Sequence, residues 1–136
     1  MSTYTGSCHC GRVTFEFTNA VVSALECNCS ICSRKGALWH ATDNDHFRIL
    51  TGQDDLAVYQ FGTRTASHYF CRHCGISTFS HPRIAPQGWV VNLRCVSGLY
   101  LATLPQRRFD GKNWEQAAQA LTDTRNKALA RRGLQS

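Results

Sequence analysis

The chain has 136 residues, 43% of them hydrophobic and 18% charged, with only three prolines. This excludes a disordered, collagen-like or low-complexity protein and leaves room for one modest core. The formal charge is +6, and it is uneven: residues 105–136 hold seven Lys/Arg against three Asp/Glu, the first 104 eight against six.

No run approaches the roughly 18 consecutive apolar residues of a membrane span. Met1–Ser7 has neither a basic n-region nor an apolar h-region, so a cytoplasmic location is the expectation. From Arg12 to Thr18 the residues alternate, with Val13, Phe15 and Phe17 on one face, as in a half-buried strand. Further strands are predicted at Phe47–Leu50, Leu56–Phe61, Ala66–Phe70, Trp89–Arg94 and Tyr100–Thr103, punctuated by Gly52, Gly62, Gly75, Gly88 and Gly98. The expected class is mainly β, mostly antiparallel.

The end of the chain changes character. Trp114, Ala117, Ala118, Leu121, Ala128 and Leu129 recur at helical spacing. Asn113 with Gln116 fits a capping box, Arg125, Lys127, Arg131 and Arg132 suit a helix C-terminus, and Gly133 suits its stop. The expected organisation is a β domain over residues 1–112 and an amphipathic helix over 113–133 packed on it. The basic run is read chiefly as the solvated face of this helix, with nucleic acid an unlikely partner.

Cysteine is over-represented, with eight residues spaced as Cys8-x-Cys10, Cys27-x-Cys29-x-x-Cys32, Cys71-x-x-Cys74 and Cys95 alone. Pairs this close point their sulfurs at a common centre, which suits tetrahedral zinc better than long-range disulfides. Cys71-x-x-Cys74-Gly75 reads as a knuckle whose glycine leaves the turn at positive φ. With Cys8 and Cys10 it would complete a closed structural site. Cys27, Cys29 and Cys32 make a second set of three, with two readings. One is an open site whose fourth position takes water or substrate, with Arg34 and Lys35 nearby to lower thiol pKa values or hold an anion. The other is a second structural zinc closed by Cys95, His40 or another histidine. His40 would line the open position in the first reading. His46, His68 and His81 read as surface or satisfied core residues, and Cys95 as a buried free thiol.

Three blocks carry a family resemblance: Gly6-Ser7-Cys8-His9-Cys10-Gly11-Arg12-Val13, Cys27-Asn28-Cys29-Ser30-Ile31-Cys32 with Gly36, and Phe70-Cys71-Arg72-His73-Cys74-Gly75. Val91–Cys95 and Phe109–Trp114 extend it. Over residues 6–114 the sequence resembles the glutathione-dependent formaldehyde-activating enzyme and centromere protein V family. The resemblance implies an Mss4-like tent of small antiparallel sheets. It also implies two zinc ions, one structural on Cys8, Cys10, Cys71 and Cys74, and one catalytic on Cys27, Cys29 and Cys32 with an exchangeable fourth place. The implied activity is a carbon–sulfur lyase reaction in reverse, joining glutathione and formaldehyde as S-(hydroxymethyl)glutathione. An open zinc site suits it, because zinc holds a thiol deprotonated near neutral pH. Arg34, Lys35 and Arg94 are the candidates to pair with glutathione's carboxylates. The competing expectation is a non-catalytic zinc-stabilised module whose basic tail binds nucleic acid or an acidic protein.

Overall fold

The computed structural model describes residues 2–135, with side-chain surroundings described through Lys127. The chain is mainly β, as its alternating segments require. Among the described residues, ten strands run in order: β1 (Tyr4–Ser7), β2 (Thr14–Phe17), β3 (Ala24–Cys27), β4 (Trp39–Thr42), β5 (Phe47–Thr51), β6 (Leu56–Tyr59), β7 (Ser67–Cys71), β8 (Phe79–His81), β9 (Trp89–Asn92) and β10 (Gln106–Phe109). A short helix α1 (Ser30–Lys35) follows β3, and a long helix α2 (Trp114–Gln135) closes the chain.

Two unequal sheets form. The smaller has the order β1-β2-β5; the larger has seven strands in the order β10-β3-β4-β9-β8-β7-β6. Pairing is antiparallel except between β10 and β3, which run parallel with Phe109 beside Cys27. The core lies where the sheets face each other. Phe15, Phe17 and Phe47 of the small sheet meet Phe79, Val91 and Trp89 of the large one, and Phe15, Phe17, Phe79 and Val91 are fully buried. Phe79 is the hub, with ring centroids of Phe15, Phe47 and Trp89 at 5.6, 5.3 and 5.6 Å, mostly edge-on. Phe79→Ala removes all three contacts and is expected to cost about 3–5 kcal/mol, read as a lower midpoint in urea unfolding at unchanged m.

Several expectations shift. Tyr100–Thr103 is not a strand: Leu101–Thr103 is a 3₁₀ turn, because the Thr103 amide and hydroxyl both donate to the Tyr100 carbonyl, at 3.1 and 2.8 Å. The strand from Trp89 ends at Asn92, whose side-chain oxygen accepts from the Arg94 amide at 3.1 Å and starts a 3₁₀ turn over Leu93–Cys95. Asn113 does not cap α2. It ends a 3₁₀ turn, Gly111–Asn113, that runs directly into the helix, and its amide donates to Asp110 Oδ2 at 2.9 Å.

The helix passes Gly133 and continues to Gln135. Between Trp114 and Lys127, only Trp114, Ala117, Ala118 and Leu121 are shielded from solvent. Arg83 stacks over Trp114 at 3.8 Å, anchoring the first turn. The side chains of Ala128, Leu129, Arg131 and Arg132 lie outside the described residues. Among the described residues, no helix is long and apolar enough to cross a membrane.

Candidate metal centres and the cavity between them

The first centre joins two turns more than sixty residues apart in the sequence. Cys8 and Cys10 stand on the turn from β1 to β2; Cys71 ends β7, and Cys74 closes the knuckle that follows. Their four sulfurs lie within 4.8 Å of one another. Cys10 Sγ is 3.6 Å from both Cys8 Sγ and Cys71 Sγ. Four thiolates at 2.3 Å around tetrahedral zinc stand about 3.8 Å apart, so the donor set and its spacing fit that ion. Backbone amides support the sulfurs: Val13 N donates to Cys8 Sγ at 3.3 Å. Gly75, at φ 78°, donates to the Cys71 carbonyl at 2.8 Å and lets the chain leave the knuckle. The Arg12 backbone N–H, and then its side chain, pull the Cys10 thiol down to about 6, favouring the thiolate a metal requires.

The second centre is compact. Cys27 ends β3, Cys29 caps α1, and Cys32 lies one turn into it. These three sulfurs also gather within 4.8 Å. The Cys32 amide donates to Cys29 Sγ at 3.4 Å. Hydrogen bonds from the Cys27 and Cys32 thiols hold the Cys29 thiol well below its ordinary value, while contacts with Cys27 and then Cys29, together with burial, push Cys32 up. Among the described residues, no fourth Cys, His, Asp or Glu joins the group. His40, one proposed closer, is packed against Phe17 at 5.1 Å with its Nε2 buried and unpartnered. Cys95, the other, directs its thiol to the Ser77 carbonyl at 3.7 Å. It is half-buried, and burial raises its thiol to about 11.

A loop from the far end of the sequence locks the second centre. Because β10 runs beside β3, Asp110–Asn113 lies over the cysteine turn. Asn28 donates to Asp110 Oδ1 at 2.9 Å and accepts from the Lys112 amide at 3.1 Å. Gly111 packs so closely that a Cβ there would sit 2.7 Å from Cys27 Sγ and 2.7 Å from the Cys29 Cβ. Asp110 and Gly111 belong to a block the sequence singles out, but nothing in that block signals contact with Cys27 and Cys29.

Between the centres opens a cavity of about 550 Å³. One wall is α1, through Ile31 and Lys35; another is the segment after the Cys71–Cys74 knuckle, through Gly75 and Ser77. Arg94 and His68 line it as well, and among the described residues no Asp or Glu does. Arg94 Nε donates to the Gly36 carbonyl at 2.7 Å, and Lys35 Nζ stands 3.5 Å from His68 Nδ1. Arg34 lies in a shallower adjoining depression with Tyr59 and Phe61, and its guanidinium returns to the Ser30 carbonyl at 2.8 Å. Thus Lys35 and Arg94 share the cavity, Arg34 stands at its neighbour, and His40 faces neither. The residue missed from sequence is His68. It is 9% exposed, and a lone histidine in a strand carries no signal of what stands opposite it.

A small mainly β domain joined by two cysteine clusters able to hold metal ions, with a cationic cavity between them, defines a class of compact metalloprotein. Within that class, this chain belongs to the glutathione-dependent formaldehyde-activating enzyme family, whose sequence pattern matches residues 3–109. It is also similar to a crystal structure of a Rhodobacter sphaeroides protein, with 39% identity and a TM-score of 0.68. That match covers 76% of this chain and 99% of the other. The family match ends before α2.

Proposed function

We propose that the protein is a zinc-dependent enzyme of the carbon–sulfur lyase type that joins a thiol, glutathione or a similar one, to formaldehyde or another small aldehyde. The observation that carries this reading is the second centre: three gathered thiols, no fourth protein ligand among the described residues, and a cationic cavity walled by Ile31 and Lys35 of α1, the helix that carries Cys32. Cys8, Cys10, Cys71 and Cys74 would hold a structural zinc, and Cys27, Cys29 and Cys32 the second. Zinc bound at three cysteines supplies the Lewis acidity that keeps a substrate thiol ionised near neutral pH.

The chain's own residues do the rest. Arg94 is fixed through its Nε, which leaves its other N–H groups for a carboxylate of the thiol substrate. Lys35 in the cavity and Arg34 in the adjoining depression add positive charge, and the absence of acidic side chains from the cavity among the described residues favours an anionic guest. Asp110 and Asn28 hold the Cys27–Cys29 turn in place, so the three sulfurs need little reorganisation. In the reaction a sulfur–carbon bond forms, the carbonyl π bond opens, and the proton released by the thiol ends on the new hydroxyl.

Native mass spectrometry of the reduced, zinc-loaded chain, with and without glutathione, tests the proposal. Two zinc ions and a glutathione adduct are expected for the native chain. Cys29→Ser should keep the far-UV spectrum, lose one zinc and the adduct, and lose thiol-dependent formaldehyde consumption. An adduct that persists unchanged in Cys29→Ser, or two zinc ions with no adduct, overturns it.

A further inference from the structure

We propose that Lys35 is a carbonyl-capturing amine, forming a reversible Schiff base with a small aldehyde that enters the cavity, and that His68 positions it for this. Lysine amines do this chemistry when a site withholds the counter-charge that keeps them protonated. Lys35 meets that condition. It comes from the last turn of α1, lines the cavity, and has no carboxylate in contact among the described residues. Arg94, a second cation, lines the same space, and charge of the opposite sign comes from Cys32 on α1 and Cys29 at its N-cap.

Instead of an acid, the amine faces the His68 imidazole on β7, with Nζ 3.5 Å from Nδ1. Burial, with Lys35 adding to it, pulls His68 down to about 4, so the ring is neutral near pH 7 and Nδ1 is free to accept. Phe61 stacks on the ring at 5.7 Å, and Trp39 lies 5.6 Å from Nζ, completing an aromatic surround. Burial also lowers the Lys35 ammonium from its ordinary value, opposed by the two cysteines. An amine that donates one N–H to His68 keeps its lone pair for the cavity.

The step balances without an oxidant or reductant. The ammonium gives one proton to solvent, and the nitrogen lone pair attacks the carbonyl carbon. The π electrons move to oxygen, which takes the second proton that the nitrogen releases on bonding, giving a neutral carbinolamine. A solvent proton then removes the hydroxyl as water, leaving a protonated imine with the same net charge as the starting ammonium. No metal takes part, so the inference stands or falls separately from the zinc-centred reaction.

The chain offers its own controls, since its lysines are Lys35, Lys112 and Lys127, and the latter two are exposed. The zinc-loaded protein is treated with formaldehyde and cyanoborohydride near neutral pH, and methylation of each lysine is followed by peptide mapping. Lys35 is expected to label roughly tenfold faster than Lys112 and Lys127, an advantage that disappears in the denatured chain. His68→Gln should reduce the Lys35 rate several-fold with zinc content and the other two rates unchanged. Labelling of Lys35 no faster than the exposed lysines, or an advantage that survives denaturation, overturns the capture site. An unchanged Lys35 rate in folded His68→Gln overturns the role of His68; if that variant does not fold, His68→Asn replaces it, and the native-chain comparison decides the capture site regardless.

Discussion

Replacing Cys71 with serine is expected to leave a chain that does not fold at all. The reason is one of magnitude. Cys71 is fully buried at the end of β7, and its sulfur lies 3.6 Å from Cys10 on the turn between β1 and β2. A zinc held by four such thiolates contributes on the order of 10 kcal/mol to a small domain. The whole net stability of a domain this size is about 5–15 kcal/mol. Losing one ligand therefore removes most of the margin, and it also unties the small sheet from the large one. Far-UV circular dichroism and a thermal melt of Cys71→Ser, beside the native chain treated with a strong chelator, check this. Both are expected to lose the cooperative transition. A Cys71→Ser chain that melts within a few degrees of the native protein would show that the first centre does not carry the fold.

The second large effect lies at a residue that ligates nothing. Gly111→Ala is expected to empty the second centre while the fold persists. The added methyl would sit 2.7 Å from Cys27 Sγ and 2.7 Å from the Cys29 Cβ, well inside contact distance, with the Cys29 amide at 3.2 Å behind it. Either the Asp110–Asn113 loop lifts, breaking the Asn28–Asp110 and Asn28–Lys112 bonds, or the sulfurs move. Displaced sulfurs leave the narrow range of zinc–ligand distances, and a lifted loop frees the turn that presents them, so both routes weaken metal binding. The cost to the fold is that of local overpacking, about 1–3 kcal/mol, because the hydrophobic core around Phe79 is elsewhere. Zinc stoichiometry should fall from two to one in native mass spectrometry, with the glutathione adduct lost and a cooperative melt retained. Full zinc occupancy in Gly111→Ala would mean that the loop is free to move away and does not hold the centre.

The outcomes separate the two roles. Loss of the first centre is expected to remove the fold and, with it, everything else. Loss of the second is expected to leave a folded β domain without the proposed chemistry. That asymmetry follows from where the ligands come from. The first set joins residues more than sixty positions apart, whereas Cys27, Cys29 and Cys32 lie within one turn and the start of one helix. A local cluster closes almost no loop, so its metal adds little to stability through chain entropy.

Much of this was legible in residue spacing. Cys8-x-Cys10, Cys71-x-x-Cys74-Gly75 and the triple-cysteine run name the two clusters, because donors one to three residues apart must share a small volume. Alternation at Val13, Phe15 and Phe17 marks β2 for the same kind of reason: the period of a strand is set by the backbone alone. The strands that escape are β1, β3, β4, β8 and β10. Each is only three or four residues long, and Gln106-Arg107-Arg108 is polar because β10 is the edge of its sheet.

What the sequence determined by itself was the local chemistry: which thiols can share a metal and which segments have a face to bury. The tertiary structure alone decided the rest. The parallel pairing of β10 with β3 carries Gly111 onto Cys27 across more than eighty residues. The seven-stranded order sets His68 of β7 opposite Lys35 of α1, pairing a histidine read from sequence as surface or core with a lysine read as an anion-holder. It also places Arg94, and not His40, on the cavity. Such contacts join residues far apart in the chain, and their partners are fixed by which strands pair and how the sheets pack, quantities no local window of sequence contains.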